Sequence, residues 1–315
     1  MKTARTLLRG SAALGVVAPF LALLCASSPA SATPFVGLGT AKGFAVLGAS
    51  TVTSKSTTKI KGDLGLAPGP SVTGFVVGST VVNCGTGLIS DAPGVVNGTI
   101  YIACPPAPSA QFDANAADVA LAVLGITADL SGQNLGNRTL TPGVYTSADS
   151  IAYLDKTLTL DAAGDPNALF VFRLDAAIFV GSVNTATVNV INGGTNVGVY
   201  WDVGSSATLY EGTTFVGNII ADASISMLDT AKILCGRAIA QVGAVTMINN
   251  TISNDCIADN FGSHRGDFGS GGFSGGFGTG GVLPPTGAPE PATLALFGAG
   301  LAGLGALRRR RKAKA

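Results

Sequence analysis

Between Val199 and Ser253 one short alternation of apolar and small polar residues is written three times. Ala207-Thr208-Leu209 returns as Ile225-Ser226-Met227 and again as Val245-Thr246-Met247. A second column runs through Thr214-Phe215, Lys232-Ile233 and Thr251-Ile252. The centres of the first column (208, 226, 246) and the starts of the second (214, 232, 251) recur about every twenty residues. Such a period predicts a solenoid, in which each coil buries its apolar edge only by stacking on its neighbours. Within a coil the period of two predicts strands, with Leu209, Met227 and Met247 inward and the hydroxyls outward.

The same alternation marks an N-terminal coil. Phe44-Ala45-Val46-Leu47-Gly48 and Ser50-Thr51-Val52-Thr53 again pair an apolar run with outward hydroxyls. Lys61-Gly62-Asp63-Leu64-Gly65 and Pro68-Gly69 supply the backbone angles of tight corners. One helix interrupts the strands, from Ser109 to about Leu124. Pro108 and Ser109 give its start, Gly125 its stop, and Phe112, Ala116, Val119, Ala120 and Val123 fall on one stripe. That stripe is expected to lie on the solenoid and cover part of its apolar surface.

The two ends of the chain read differently. Lys2, Arg5 and Arg9 precede the apolar run Ala12 to Leu24, and Ala30-Ser31-Ala32 provides small residues for cleavage. Residues 1–32 therefore read as a secretory signal peptide. The domain occupies 33–260. Residues 261–288 form a Gly- and Ser-rich linker with Phe268, Phe273 and Phe277 scattered through it. Within 289–315, Pro289-Glu290-Pro291 is followed by the apolar segment 292–307 and by Arg308-Arg309-Arg310-Arg311-Lys312. This tail resembles the Pro-Glu-Pro C-terminal sorting signal of Gram-negative bacteria. The resemblance implies transient arrest in the inner membrane, processing by an exosortase-type enzyme and release to the cell surface or extracellular matrix. A permanent single-span anchor is the other reading, with the basic cluster cytoplasmic.

Composition narrows the function classes. Hydrophobic residues make up 47% of the chain and charged residues only 12%, with 44 glycines, which suits strands and tight turns on a rigid body. Between Thr33 and Gly262 there are 9 basic against 16 acidic residues. An acidic body argues against a nucleic-acid partner, which needs a basic face. Enzyme activity is not expected. Asp63, Asp161, Asp165 and Asp255 neighbour Gly, Pro or Asn at turns, and the one histidine, His264, lies in the linker. No cofactor is implied. Cys84, Cys104, Cys235 and Cys256 lack the His partners and close spacing of a metal site and, in an exported domain, imply two disulfides. Three connectivities are possible; Cys84–Cys104 and Cys235–Cys256 are favoured because each clips a local excursion onto the stack.

Several runs together carry a family resemblance. Phe44-Ala45-Val46-Leu47-Gly48, Gly62-Asp63-Leu64-Gly65, Pro142-Gly143-Val144-Tyr145, Gly164-Asp165-Pro166-Asn167-Ala168, Gly236-Arg237-Ala238 and Gly243-Ala244-Val245-Thr246 appear in the order found in bacterial and fungal ice-binding proteins. The resemblance covers roughly Leu38 to Ser253. It implies an all-β, irregular and discontinuous β-solenoid with one α-helix packed alongside, the N-terminal coils closing the stack beside the C-terminal ones. The partner it implies is ice, or ordered water, met by a face repeating Thr, Ala or Gly, any residue, then Thr or Asn.

That motif is degraded here. The matching segments are Asn184-Thr185-Ala186-Thr187, Glu211-Gly212-Thr213-Thr214, Asp229-Thr230-Ala231-Lys232 and, one residue short, Asn249-Asn250-Thr251. The candidate ice-binding face is thus Asn184, Thr185, Thr187, Thr213, Thr214, Thr230, Asn249 and Thr251. Its leading Thr is missing each time, and Lys232, long and strongly hydrated, interrupts the terminal column. Weak ice activity is expected from it. Thr208, Ser226 and Thr246 form an alternative face. A structural surface or matrix module without ice activity is the rival function.

Overall fold

In the computed structural model the described residues are 36–75, 80–84, 93–193 and 197–255. Apolar residues alternating with small polar ones fold into short parallel strands, arranged in a sixteen-stranded and a seven-stranded sheet. Successive coils pair side by side in register, so the backbone groups of each coil are satisfied by its neighbours along the stack. The columns read from the repeat hold residue by residue. Ala207, Thr208 and Leu209 pair with Ile225, Ser226 and Met227, and these pair with Val245, Thr246 and Met247. Thr214 pairs with Lys232 and Lys232 with Thr251.

Three faces surround the core. The larger sheet branches at two long strands, Thr214–Ala221 and Lys232–Ala240, whose register shifts between Val216 and Asn218. Gly217 makes this corner at φ +105°, and a Cβ on Gly236 would lie 1.9 Å from the Gly217 carbonyl oxygen. Only glycine fits so close a backbone crossing. Beyond the corner the strands join Gly143–Ser147, Leu169–Leu174, Gly198–Val203, Phe44–Gly48 and Asp63–Leu66 in the face that carries the helix. Before it they join Thr157–Asp161, Thr187–Ile191, Thr251–Ser253 and Lys59–Lys61. The seven-stranded sheet is the third face.

The stack is discontinuous in the way the resemblance implies. The last C-terminal coil pairs with the first N-terminal one on all three faces: Ala238 with Val46, Val245 with Val52, and Thr251 with Lys59. Side chains seal this seam. Arg237, 1% exposed, donates from Nε and Nη2 to the Lys42 carbonyl oxygen (3.0 and 2.6 Å) and from Nη1 to Asn218 Oδ1 (2.8 Å). Inside the coils Tyr145, Phe172 and Trp201 stack in register, the last two with ring centroids 3.9 Å apart. The indole N–H donates to the Val216 carbonyl at 3.1 Å, so its polar end is satisfied.

The helix spans Ala107–Ala122, and its orientation corrects the sequence reading. Ala107, Ala110, Ala114, Ala117 and Leu121 face the sheet, against Val144, Val171, Tyr200, Ile220 and Ile239. Most of the expected inward stripe points away: Phe112 is 75% exposed, Val119 58% and Val123 72%, whereas Ala120 packs partly against the core. The two stripes are two residues out of phase, about 200° around the helix. Alanines win the contact because they let the backbone approach closely, and polar anchors fix the phase. Asp113 accepts from the Thr40 amide at 2.6 Å, and Gln111 donates to the Ala240 carbonyl at 3.1 Å. Cys84 and Cys104 form the expected disulfide. Cys256 lies outside the described residues, as do the expected signal peptide, linker and sorting tail.

Candidate adsorption faces

With the helix seated on one face, two faces remain open, and each carries one of the hydroxyl columns read from the sequence. On the first, direct register partners run Thr157, Thr187, Thr214, Lys232, Thr251, Lys59 and Val95. Thr187, Thr214 and Thr251 therefore do share a column, and Lys232 does interrupt it. Lys59, brought in by the N-terminal coils, interrupts it again beyond Thr251.

The other expected members of this face are not in that column. Thr213 is fully buried and donates to the Val180 carbonyl at 3.1 Å. Its side chain serves the coil corner and cannot meet an external surface. At the equivalent inward position of the next coils stand Ala231 and Asn250, both buried. Asn250 ties the corner with bonds to the carbonyls of Leu228 (2.6 Å) and Ala231 (3.0 Å). Asn184, Thr185, Thr230 and Asn249 are exposed on the corner turns, with Thr230 at φ +61° and Asn249 at φ +52°. Left-handed turn geometry explains Asn249; for the β-branched Thr230 it is strained. Four residues therefore rim the column and three lie in it.

The second open face is the seven-stranded sheet. Its central outward column, partner by partner, is Tyr153, Phe179, Thr208, Ser226, Thr246, Thr53 and Thr73. The three residues read as the alternative face are thus consecutive, and the N-terminal coils extend them by Thr53 and Thr73. Sequence reading missed this extension. The alternation in Val52-Thr53-Ser54 and Ser71-Val72-Thr73 is a usable signal, but only knowledge of the seam puts Thr51–Ser54 next to Val245–Met247, with Ser71–Thr73 beyond it. Five hydroxyls in sequence, at about 4.8 Å per strand, span about 19 Å without a charged side chain. Thr73 donates to Thr53 Oγ1 at 3.2 Å, whereas among the described residues the hydroxyls of Thr208, Ser226 and Thr246 have no protein partner and remain for solvent.

Among the described residues no group of His, Cys, Asp or Glu could hold a metal ion. The most perturbed carboxyl, Asp202, is pushed up to about 8 by burial and by the neighbouring carboxyl of Asp118 on the helix, with Arg173 opposing. It lies between helix and sheet, away from both open faces. Asp155 ties neighbouring corner turns together, accepting from Asn134 Nδ2, Ser182 Oγ and the Val183 amide. Burial opposes its ionisation, but the amides of Val183 and Asn184 and the side chains of Asn134 and Ser182 outweigh that and lower its pKa.

Comparison with known proteins places this architecture. Residues 46–253 match the family described as ice-binding-like, and residues 288–311 match the PEP-CTERM protein-sorting motif. An ice-binding protein of Nostoc sp. (strain HG1) is 42% identical over 241 residues, covering 76% of this chain and 82% of that protein. A crystal structure of an ice-binding protein from an Antarctic biological consortium is 35% identical, with TM-score 0.60, covering 70% of this chain and 90% of that one. The ice-binding protein of the Antarctic ascomycete Antarctomyces psychrotrophicus is 31% identical, with TM-score 0.59 over 70% of this chain and 98% of its own.

Proposed function

Because the chain belongs to the ice-binding-like family, we propose that it adsorbs to ice, and that the adsorbing surface is the seven-stranded sheet with its column Thr208, Ser226, Thr246, Thr53 and Thr73. The observation that carries this choice is the uninterrupted register of five hydroxyls. On the other open face Lys232 and Lys59 break the corresponding column. Adsorption to a lattice needs groups whose positions are already fixed. Thr is stiff at χ1, and each residue here is held by a strand paired on both sides or by its neighbour's hydroxyl. Ordered water bound along such a column can continue into ice with little further loss of entropy. A lysine ammonium holds its own hydration shell and disrupts that layer.

The sorting motif at residues 288–311 supports a route for the protein. Export by the N-terminal segment is followed by arrest at the apolar segment 292–307, cleavage near Pro289-Glu290-Pro291 and release at the cell surface, with the domain outside the cell. Among the described residues no helix is long and apolar enough to cross a membrane.

The test is ice recrystallisation inhibition by the wild type, Thr246→Tyr, Thr214→Tyr and Lys232→Thr. The tyrosine at 246 should abolish most of the activity, while the two changes on the lysine-interrupted face should leave it unaltered. Loss with Thr214→Tyr, or a gain with Lys232→Thr, would move the site to the other face. A wild type without activity would overturn the ice reading.

A further inference from the structure

The outward side of the helix is an unpartnered seam for a second helix. Phe112, Ala116, Val119 and Val123 follow one another at spacings of four, three and four, the alternation by which one helix packs along another. All four are exposed, and Phe112, Val119 and Val123 more than half so. The flanking outward positions Ser109, Asn115 and Ala122 carry no charge either. The two acidic residues of the helix are turned to the body: Asp113 binds the Thr40 amide and Asp118 bonds to Asp202. The stripe is about the size of the largest apolar patch on an ordinary monomer, a patch that is often an interaction surface.

We propose that this seam pairs two copies of the chain, helix against helix and antiparallel, about a two-fold axis. The seam is self-complementary in that arrangement. With the axis between Ala116 and Val119, Phe112 meets Val123 of the partner subunit and Ala116 meets Val119 of the partner subunit. Each larger side chain lies opposite a smaller one, and alanine permits an interaxial distance of about 8 Å. Nothing charged faces anything charged across the contact, and the antiparallel arrangement sets each helix's positive end beside its partner's negative end. A second copy also supplies the one thing the stripe needs, another helix with an exposed apolar seam. The paired helices lie on the helix-bearing faces, so both hydroxyl-bearing faces of each copy stay open.

The contact is small. Sixteen residues make a helix about 24 Å long. Two such seams bury on the order of 800 Å² in total, below the roughly 1,200 Å² of a standard interface. The dimer is therefore weak, with a dissociation constant on the order of 10–100 µM. Copies displayed together on one surface meet at far higher effective concentration.

Sedimentation velocity on the exported protein, recovered from culture medium and run from 1 µM to about 500 µM, reads this directly. The expected result is a shift from monomer to dimer over that range, abolished by Val119→Glu. That variant alters only an outward side chain and should keep the wild-type circular dichroism and unfolding midpoint. In an equal mixture of Ala116→Cys and Val119→Cys chains, a mixed disulfide dimer should form faster than either chain forms one with itself. A wild type monomeric at every concentration overturns the proposal. So does a dimer that survives Val119→Glu, or a monomer that floats with phosphatidylethanolamine–phosphatidylglycerol vesicles through this face, since the seam would then belong to a lipid surface.

Discussion

Replacing Arg237 by leucine tests whether the seam between the last and first coils is held by side chains as well as by strand pairing. The guanidinium donates twice to the Lys42 carbonyl and once to Asn218 Oδ1. Hydrogen bonds from a charged donor contribute about 1.5–3 kcal/mol each, but they are not additive here, because two of them share one acceptor. Leucine also returns the cost of burying the cation, which is several kcal/mol. Both acceptors lose these donors, a loss of about 1–3 kcal/mol each, although Asn254 Nδ2, 3.4 Å from the Lys42 oxygen, partly compensates. The smaller side chain adds a void. The balance is a loss of about 2–4 kcal/mol in urea unfolding. Hydrogen exchange locates it: amides of Phe44–Gly48 should lose protection first, while those of Ile151–Leu154, at the far end of the stack, should not. A loss below about 1 kcal/mol, or an equal loss of protection at both ends, would refute the role given to Arg237.

Three further outcomes follow from the same structure. Asp202 is raised above its unfolded value, so the stability its protonated form supports is complete below about pH 4 and is lost as pH rises through about 8. Asp202→Asn should therefore flatten the fall in stability between about pH 4 and pH 8 and raise stability at pH 9, by an amount on the order of 1–4 kcal/mol; an unchanged pH profile contradicts the buried pairing with Asp118. Asp155 shifts the other way, and its contribution, present above about pH 4, is lost as pH falls through its lowered value. Asp155→Ala should remove that acid-limb dependence and cost about 1–3 kcal/mol at pH 7, read by thermal unfolding. Reducing Cys84–Cys104, which closes a separation of 20 residues, should cost about 3 kcal/mol by chain entropy, measured by urea unfolding with and without reductant.

What was legible in the sequence follows the physics of each feature. The columns at Thr208 and Thr214 could be read because stacking forces neighbouring coils into a common period, and that period survives in the residues. The docking of Thr53 beside Thr246 could not be read by spacing, because the two lie far apart in the chain and nothing local records the seam. The helix misled for a different reason. Hydrophobicity points to Phe112 and Val119 as the buried side, yet the sheet accepts the alanine side, where close approach and the bonds of Gln111 and Asp113 decide the rotation. Thr213 misled because a hydroxyl at a coil corner looks the same in sequence whether it faces solvent or a carbonyl. The ladder on the seven-stranded sheet was visible only as three separate hydroxyls; its length emerges from the fold.

The most direct measurement of the central claim is incorporation of fluorescently labelled protein into a slowly growing single crystal of ice. Wild-type protein should enter the crystal and decorate particular planes, and Ser226→Tyr, a bulky insertion in the middle of the five-hydroxyl column, should be excluded with the bulk solutes. Incorporation of Ser226→Tyr at the wild-type level would contradict the assignment of that face.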